Sequence, residues 1–505
     1  MKKFFKAVAI VGIFNVLERI IGFVYRVFLS RQIGAEGLGI YQIAVSVFAV
    51  LLALTTSGIP VTVSRSIAKR RATGDMHAER NIVSAGFFLC VAISLPVFLI
   101  AMFFNKQFSF LFSDERVLPV FTILMPALIF SSVYSTIRGY FWGKQDYIPY
   151  SLVEFIEEIS MVVIGIILVS FSSSAVDGAS KAALALMLSY LISFACAVIF
   201  FIAKKGRLGS PYKMIKPIAL TALPITGVRV SATMISSLIA VLLPLRLIYY
   251  GMKPAEAISQ FGASYGMSFT LLFLPITIIG SVALVLVPEL SEDLQKKDFA
   301  ALNSKIEKAI KFAVVISCFL IPVYFVFGKE IGIILYDNEF SGVFLSYASI
   351  LLLPMCMSQI STSLLNSLGM ERRTLISYFI GAALMLICII FMPKYMGIYS
   401  LILGLLLCYT VNAVIDLIFM RKVCRPKYIK FLICASLFTI PTVMITQFIF
   451  NILNSYSNAF LAMVIASGVS MVFNFSFYLV FGFVRLRFAE ITKVFKRGSE
   501  RGINT

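Results

Sequence analysis

Glu18, Arg19 and Arg26 stand inside one apolar stretch, NVLERIIGFVYRVFLSRQIG (15–34), and they are the first residues in the chain whose chemistry demands a partner. At about 100° per residue Asn15, Arg19, Gly22 and Arg26 share one face of a helix, with Glu18 beside them. Guanidinium groups on such a face suit phosphate or carboxylate, which the planar fork binds bidentately. A further arginine, Arg229, is embedded in LPITGVRVSATMISSLIAVLLPLRL. The acids are in SLVEFIEEISMVV: Glu154 and Glu158, four apart, share a helical face and Glu157 neighbours both. Glu157 either pairs with an arginine, carries a coupling proton or binds sodium, and all three roles stay open. Asn412 and Asp416, one turn apart in YTVNAVIDLIF, supply a second acid that is either an ion site or a cap at an interface.

The elements that hold these residues follow from composition. With 60% hydrophobic and 13% charged residues and a mean hydropathy of +0.96, the chain lies far from the ~25% charged content of soluble domains. It reads as an all-α polytopic membrane protein. Crossing a hydrocarbon core takes about 20 apolar residues, and runs of that length place spans near 4–30, 38–64, 81–104, 117–141, 149–171, 181–203, 217–247, 259–287, 310–327, 342–368, 375–392, 399–420, 431–451 and 458–484. The charged residues listed above therefore sit in or beside membrane helices, where charge costs several kcal/mol and marks function by default.

The net charge of +20 is not a nucleic-acid signal, because most of the cations fall in short loops on one side. These include RSIAKRR (65–71), KKGRLGSPYKMIK (204–216), RKVCRPKYIK (421–430) and the tail RLRFAEITKVFKRGSER (485–501). The positive-inside rule puts that side, with both termini, in the cytoplasm, where the basic loops meet anionic lipid. The apolar N-terminus reads as a retained first span, since no small-residue cleavage site follows it. The single histidine, His77, falls in a loop, the eight cysteines form no CxxC pair, and no Walker lysine motif occurs. No metal site or cofactor is expected. Any driving force is an ion gradient, protons or sodium, the membrane potential or the cargo's own gradient.

Landmarks repeat at a common offset. Pro288 follows Pro60 by 228 residues, Pro354 follows Pro126 by 228 and Gly369 follows Gly143 by 226, with six spans between the members of each pair. An even number of spans preserves orientation, so the pattern predicts two parallel six-helix bundles, 1–210 and 211–425, related by an axis along the membrane normal, followed by two extra helices and a basic tail in 426–505. Arg229 then answers Arg19 from the second bundle. The two arginines either line one cavity or are neutralised locally, Arg19 by Glu18 or an acid of the fifth span.

The segments GFVYRVFLSRQIGAEGLGIYQ (22–42), GIPVTVSRSIAKRRATGD (58–75) and IRGYFWGKQDYIPYSLVEFIEE (137–158) resemble the MOP exporter superfamily of multidrug, oligosaccharidyl-lipid and polysaccharide flippases, most closely its stage V sporulation protein B-like branch. The resemblance is closest over roughly the first 160 residues. The pieces ER-IIGF and SRQIGA are also similar to the first helix of the lipid II flippases, which makes Arg19 a match to a cavity arginine, and Glu157 matches the acid of the fifth span. The resemblance implies export of a lipid-linked oligosaccharide or peptidoglycan precursor across the plasma membrane, for cell wall or spore cortex. The second and eighth spans, 38–64 and 259–287, carry no internal basic residue, a departure from the lipid II flippases. A cation-coupled drug exporter of the same superfamily is the nearest alternative. A membrane-embedded polymerase or glycosyltransferase is disfavoured by short loops such as NKQFSFLFSDER (105–116) and GKEIGIILYDNEF (328–340).

Overall fold

Backbone that crosses hydrocarbon must satisfy its N–H and C=O groups internally, and among the described residues the chain does this with helices alone. The computed structural model describes residues 2–72, 76–104, 107, 109, 112–424, 426, 428–456 and 458–480. The basic tail 485–501, the end of the last span and the side chains of Asn15, His77 and Pro288 lie outside the described residues. The helices are α1 Lys2–Thr56, α2 Gly58–Ala72, α3 Met76–Phe103, α4 Val117–Leu124, α5 Ala127–Gly143, α6 Tyr147–Ser170, α7 Ala175–Ala203, α8 Tyr212–Tyr249 and α9 Pro254–Phe261. A π-helical turn, Gly262–Ser268, leads into α10 Phe269–Gln295, α11 Phe299–Tyr336 and α12 Glu339–Ala348, and a short 3-10 turn, Ser349–Leu351, into α13 Leu352–Ser367. Then come α14 Glu371–Phe391, α15 Pro393–Met396, α16 Ser400–Met420, α17 Ile429–Tyr456 and α18 Ala459–Val480.

Among the described residues, twelve helical stretches are long and apolar enough to cross a membrane. One of them, Val16–Arg71, contains two crossings, because α1 is broken at Gly34, whose φ of 67° belongs to the left-handed region that a side chain disfavours. Helix α6 is the remaining crossing: it has the length, but its three glutamates lower its apolar content. Counting the first stretch as two and adding α6 gives the fourteen spans expected from hydropathy. Boundaries moved most at α11, which begins at Phe299 and not near 310.

Two of the landmark prolines, Pro126 and Pro354, stand beside interruptions of their helices. The helix breaks between α4 and α5 at Met125–Pro126, and within one turn of the position 228 residues later it tightens into the Ser349–Leu351 turn before Pro354. Proline lacks a donor and crowds the carbonyl four residues earlier. Pro60 follows a break at Ser57, whereas α10 runs on through Pro288, so the two copies differ there.

Packing divides the chain into two units that do not follow chain order. The first comprises the described residues up to Leu274 with Lys329–Leu345 and Phe379–Cys408. Its core joins Ile59, Val63 and Ile67 of α2 to Ile82 and Cys90 of α3, Ile137, Tyr140 and Phe141 of α5, Ala197 and Phe201 of α7 and Ile218 of α8. Helices α2 and α5 meet backbone to backbone: a Cβ on Gly139 would lie 2.6 Å from the Pro60 carbonyl oxygen, and one on Gly143 2.9 Å from that of Ser64. In lipid, where apolar surface gains nothing by association, such small-residue contacts hold helices together. One end is stitched by Lys144, which pairs with Glu79 at 2.7 Å and whose carbonyl accepts a 2.7 Å bond from Arg71. At the opposite end Arg31 donates to the carbonyls of Ile334 and Leu335.

The second unit comprises Pro275–Gly328, Ser346–Tyr378 and the described residues from Tyr409 onward. Leu302, Ile306 and Ile310 of α11 are buried with Leu364 and Leu365 of α13, Ala413 of α16, Ala435 of α17 and Tyr478 of α18. Phe438 and Phe477 stack at 3.6 Å and fix α17 against α18.

Candidate functional site

The polar stripe of α1 meets α6 inside the first unit. Gly22 is the point of closest approach: a Cβ there would fall 2.6 Å from Glu158 Oε1, so only glycine lets that carboxylate lie against α1 without moving. Arg19 and Arg26, one turn to either side of Gly22, are the charged neighbours of Glu158. Arg19 is exposed and Arg26 half-buried. Arg26 Nη1 also donates to Thr270 Oγ1 at 3.2 Å, and the hydroxyls of Tyr41 and Tyr265 lie within its electrostatic reach. The acid that meets the stripe is thus Glu158, whose face the sequence assigned only through its spacing from Glu154.

Glu154 and Glu157 look deeper into the same bundle. Arg138 of α5 pairs with Glu154, Nη1 to Oε1 at 3.4 Å, and its guanidinium lies 5.3 Å from the Trp142 ring centroid. Ser193 of α7, whose hydroxyl donates to the Tyr190 carbonyl at 3.1 Å, lies beside the Glu157 carboxyl, and Tyr134 and Tyr190 are close enough to sense its charge. Glu157 Oε2, Tyr134 Oη and Arg138 Nε are buried with no hydrogen-bond partner. Glu18 is half-buried, Glu154, Glu158 and Arg19 are its charged neighbours, and its Oε1 is likewise buried and unpartnered. Four carboxylates and three guanidiniums from α1, α5 and α6 therefore share one network. Orphaned buried polar atoms at such a place mark room for water, an ion or a ligand.

Arg138 escaped the sequence reading because it stands near the end of its span, in IRGYFWGK, and passes for an interfacial cation. Its signal was available as a pair: Arg138 and Glu154 lie on opposite sides of the short turn between α5 and α6, where two antiparallel helices bring them to the same depth. Arg229 is exposed on α8, and its carbonyl accepts a 3.1 Å bond from Thr233 Oγ1. Helix α8 packs on α1, α2 and α3, so Arg229 belongs to the same unit as Arg19. The side chain of Asn15 is outside the described residues.

Asp416 and Asn412 belong to the second unit and are buried, Asp416 completely. The reading of Asp416 as an interfacial cap is corrected by its partners: Thr362 Oγ1 at 2.7 Å from Oδ2, Ser377 Oγ at 2.6 Å from Oδ1, and a side-chain hydrogen bond with Ser361. A cap would use backbone N–H groups at a helix end; this carboxyl is enclosed by hydroxyls of α13 and α14.

The sequence profile of the family described as "Polysaccharide biosynthesis protein" matches residues 4–295. Stage V sporulation protein B of Bacillus subtilis (strain 168) is 26% identical over 358 residues, 68% of each chain. Lipid II flippase MurJ of the same organism is 22% identical over 519 residues, 94% of each chain. Among solved structures, a lipid II flippase MurJ in an inward closed conformation superposes with a TM-score of 0.73 at 15% identity, covering 94% of this chain and 99% of that one.

Proposed function

From the premise that the chain belongs to the polysaccharide biosynthesis protein family, a multi-pass membrane transporter of the MOP superfamily and not an enzyme, we propose that it is a flippase for a diphosphate-linked isoprenoid lipid bearing an oligosaccharide or peptidoglycan precursor. It works by alternating access in the plasma membrane, serving cell-wall or spore-cortex synthesis, with both termini cytoplasmic and the basic loops against anionic lipid. The carrying observation is the arginine stripe of α1: Arg19 is exposed within a membrane helix, where a guanidinium facing acyl chains is prohibitively costly. That exposure supports a hydrated cavity, and Arg19, Arg26 and Arg229 supply charge-assisted bonds to a diphosphate.

Coupling to a proton or sodium gradient is assigned to Glu157 with Glu154, and to Asp416 with Asn412. Headgroup translocation by reconstituted full-length protein tests the reading: Arg19→Ala abolishes flipping at wild-type membrane abundance and Arg19→Lys keeps part of it. Full activity of an Arg19→Ala, Arg229→Ala double variant overturns it. The excess of acid in α6 favours a second reading, a cation-coupled exporter of cationic drugs, which the same vesicles test with a cationic dye.

A further inference from the structure

Asp416 is a buried carboxyl that makes no ion pair among the described residues, and its hydrogen bonds can be counted. Ser377 Oγ carries one hydrogen but has two acceptors in reach, Asp416 Oδ1 at 2.6 Å and the Thr374 carbonyl at 3.0 Å. Ser361 is in the same position, between Asp416 and the Ser358 carbonyl at 3.2 Å. Thr362 Oγ1 is committed to Asp416 Oδ2. With an ionised Asp416 all three hydroxyls must turn to it, and a full negative charge rests on three neutral donors in a fully buried position. Such a charge costs several kcal/mol and takes up a proton instead. With a neutral Asp416, Oδ1–H donates to Ser377, Ser377 donates to Thr374, Thr362 donates to Oδ2 and Ser361 keeps Ser358. Each hydrogen then has one acceptor.

Among the described residues no cation pairs with Asp416. Helix α13 has no charged residue, and Cys356 is its one titratable side chain. Helix α14 carries Glu371, Arg372 and Arg373 in its first turn and Tyr378 and Cys388 beyond, and Arg373 lies 5.1 Å from the Phe419 ring centroid. The other titratable groups of α16 are Cys408 and Tyr409. Ala413, Leu417 and Met420 of the same helix belong to one apolar cluster with Leu364 and Leu365 of α13.

We propose that Asp416 is a proton-binding site, loaded in this conformation, whose proton leaves to water during the transport cycle while Ser361, Thr362 and Ser377 rotate to receive the carboxylate. The assignment names the proton among the coupling ions above, and it rests on that transporter reading for its role but not for its chemistry. The test is infrared difference spectroscopy of the full chain in lipid nanodiscs at neutral pH, comparing wild type with Asp416→Asn. A protonated-carboxyl C=O band, present in wild type and lost in the variant, is expected, and Ser377→Ala should shift that band without removing it. Absence of the band in the difference spectrum, or thermal stabilisation by sodium that Asp416→Asn abolishes, overturns the proposal. Because the spectra need no cargo, a present band with no lipid translocation would sink the flippase reading alone, and translocation without the band would sink this one alone.

Discussion

Replacing Glu158 by glutamine distinguishes arginines that read cargo from arginines that only pair helices. Glu158 lies against Gly22 with Arg19 and Arg26 as its charged neighbours, so it competes with any phosphate for the same guanidiniums. Two unit charges about 5 Å apart interact by about 3 kcal/mol at an effective dielectric near 20. Solvent at the exposed Arg19 reduces that to about 1 kcal/mol per pair. Removing the carboxylate charge while keeping its shape should therefore tighten binding of a diphosphate headgroup by roughly tenfold, since tenfold is about 1.4 kcal/mol. Folding should weaken by no more than about 1–2 kcal/mol, because the released arginines face water and not hydrocarbon. The assay is titration of purified full-length Glu158→Gln and wild type with a soluble isoprenoid-diphosphate analogue, with thermal melting alongside. If the arginines are structural pairs, the substitution leaves buried, uncompensated charge, which costs about 3–5 kcal/mol. A large stability loss with unchanged diphosphate affinity would refute the reasoning.

Other outcomes follow from the same geometry. Arg138→Leu strands Glu154 in a mostly buried position and should lower stability by about 3–5 kcal/mol, while the Arg138→Leu, Glu154→Leu double variant recovers most of the loss in thermal melts. Gly139→Val drives a side chain into the Pro60 backbone, costing about 1–3 kcal/mol and reducing membrane abundance; unchanged abundance and melting would contradict the α2–α5 contact. Glu157→Leu removes a carboxylate with a buried, unpartnered oxygen, so melting should stay level or rise while gradient-driven transport is lost, and a variant with wild-type transport would remove Glu157 from coupling.

The fold was legible because hydrocarbon imposes one solution, the helix, and apolar length marks each crossing. Pro126 and Pro354 were readable only as landmarks of the repeat; the interruptions beside them come from the structure. Contacts between helices were not legible, because lipid-facing and protein-facing residues are equally apolar and hydropathy carries no phase. The Gly22–Glu158 contact shows this: spacing put Glu154 and Glu158 on one face, but which of the three acids meets α1 depends on the rotation of α6. Asp416 stayed open between an ion site and an interfacial cap because Met420 ends its helix one turn later, and only the hydroxyls that α13 and α14 bring to it show that it is enclosed.

Charge balance sets a condition that any anionic cargo must meet. In the network of α1, α5 and α6 the guanidiniums of Arg19, Arg26 and Arg138 are outnumbered by the carboxylates of Glu18, Glu154, Glu157 and Glu158. A diphosphate entering beside Glu158 would raise this negative excess in surroundings where desolvation strengthens every repulsion. Binding therefore requires that acids become neutral or that a cation enters with the cargo. The second and eighth spans, 38–64 and 259–287, carry no internal basic residue that could offset that excess. Arg229, also assigned to the diphosphate, brings the guanidiniums only level with the carboxylates, so the remaining route is protons or sodium on the glutamates, which makes cation uptake and anion binding parts of one electrostatic event. Diphosphate affinity should consequently strengthen as pH falls across the range in which these glutamates titrate, and Glu158→Gln and Glu157→Gln should each flatten that dependence. An affinity independent of pH in wild-type protein would break the link between the acids and the cargo.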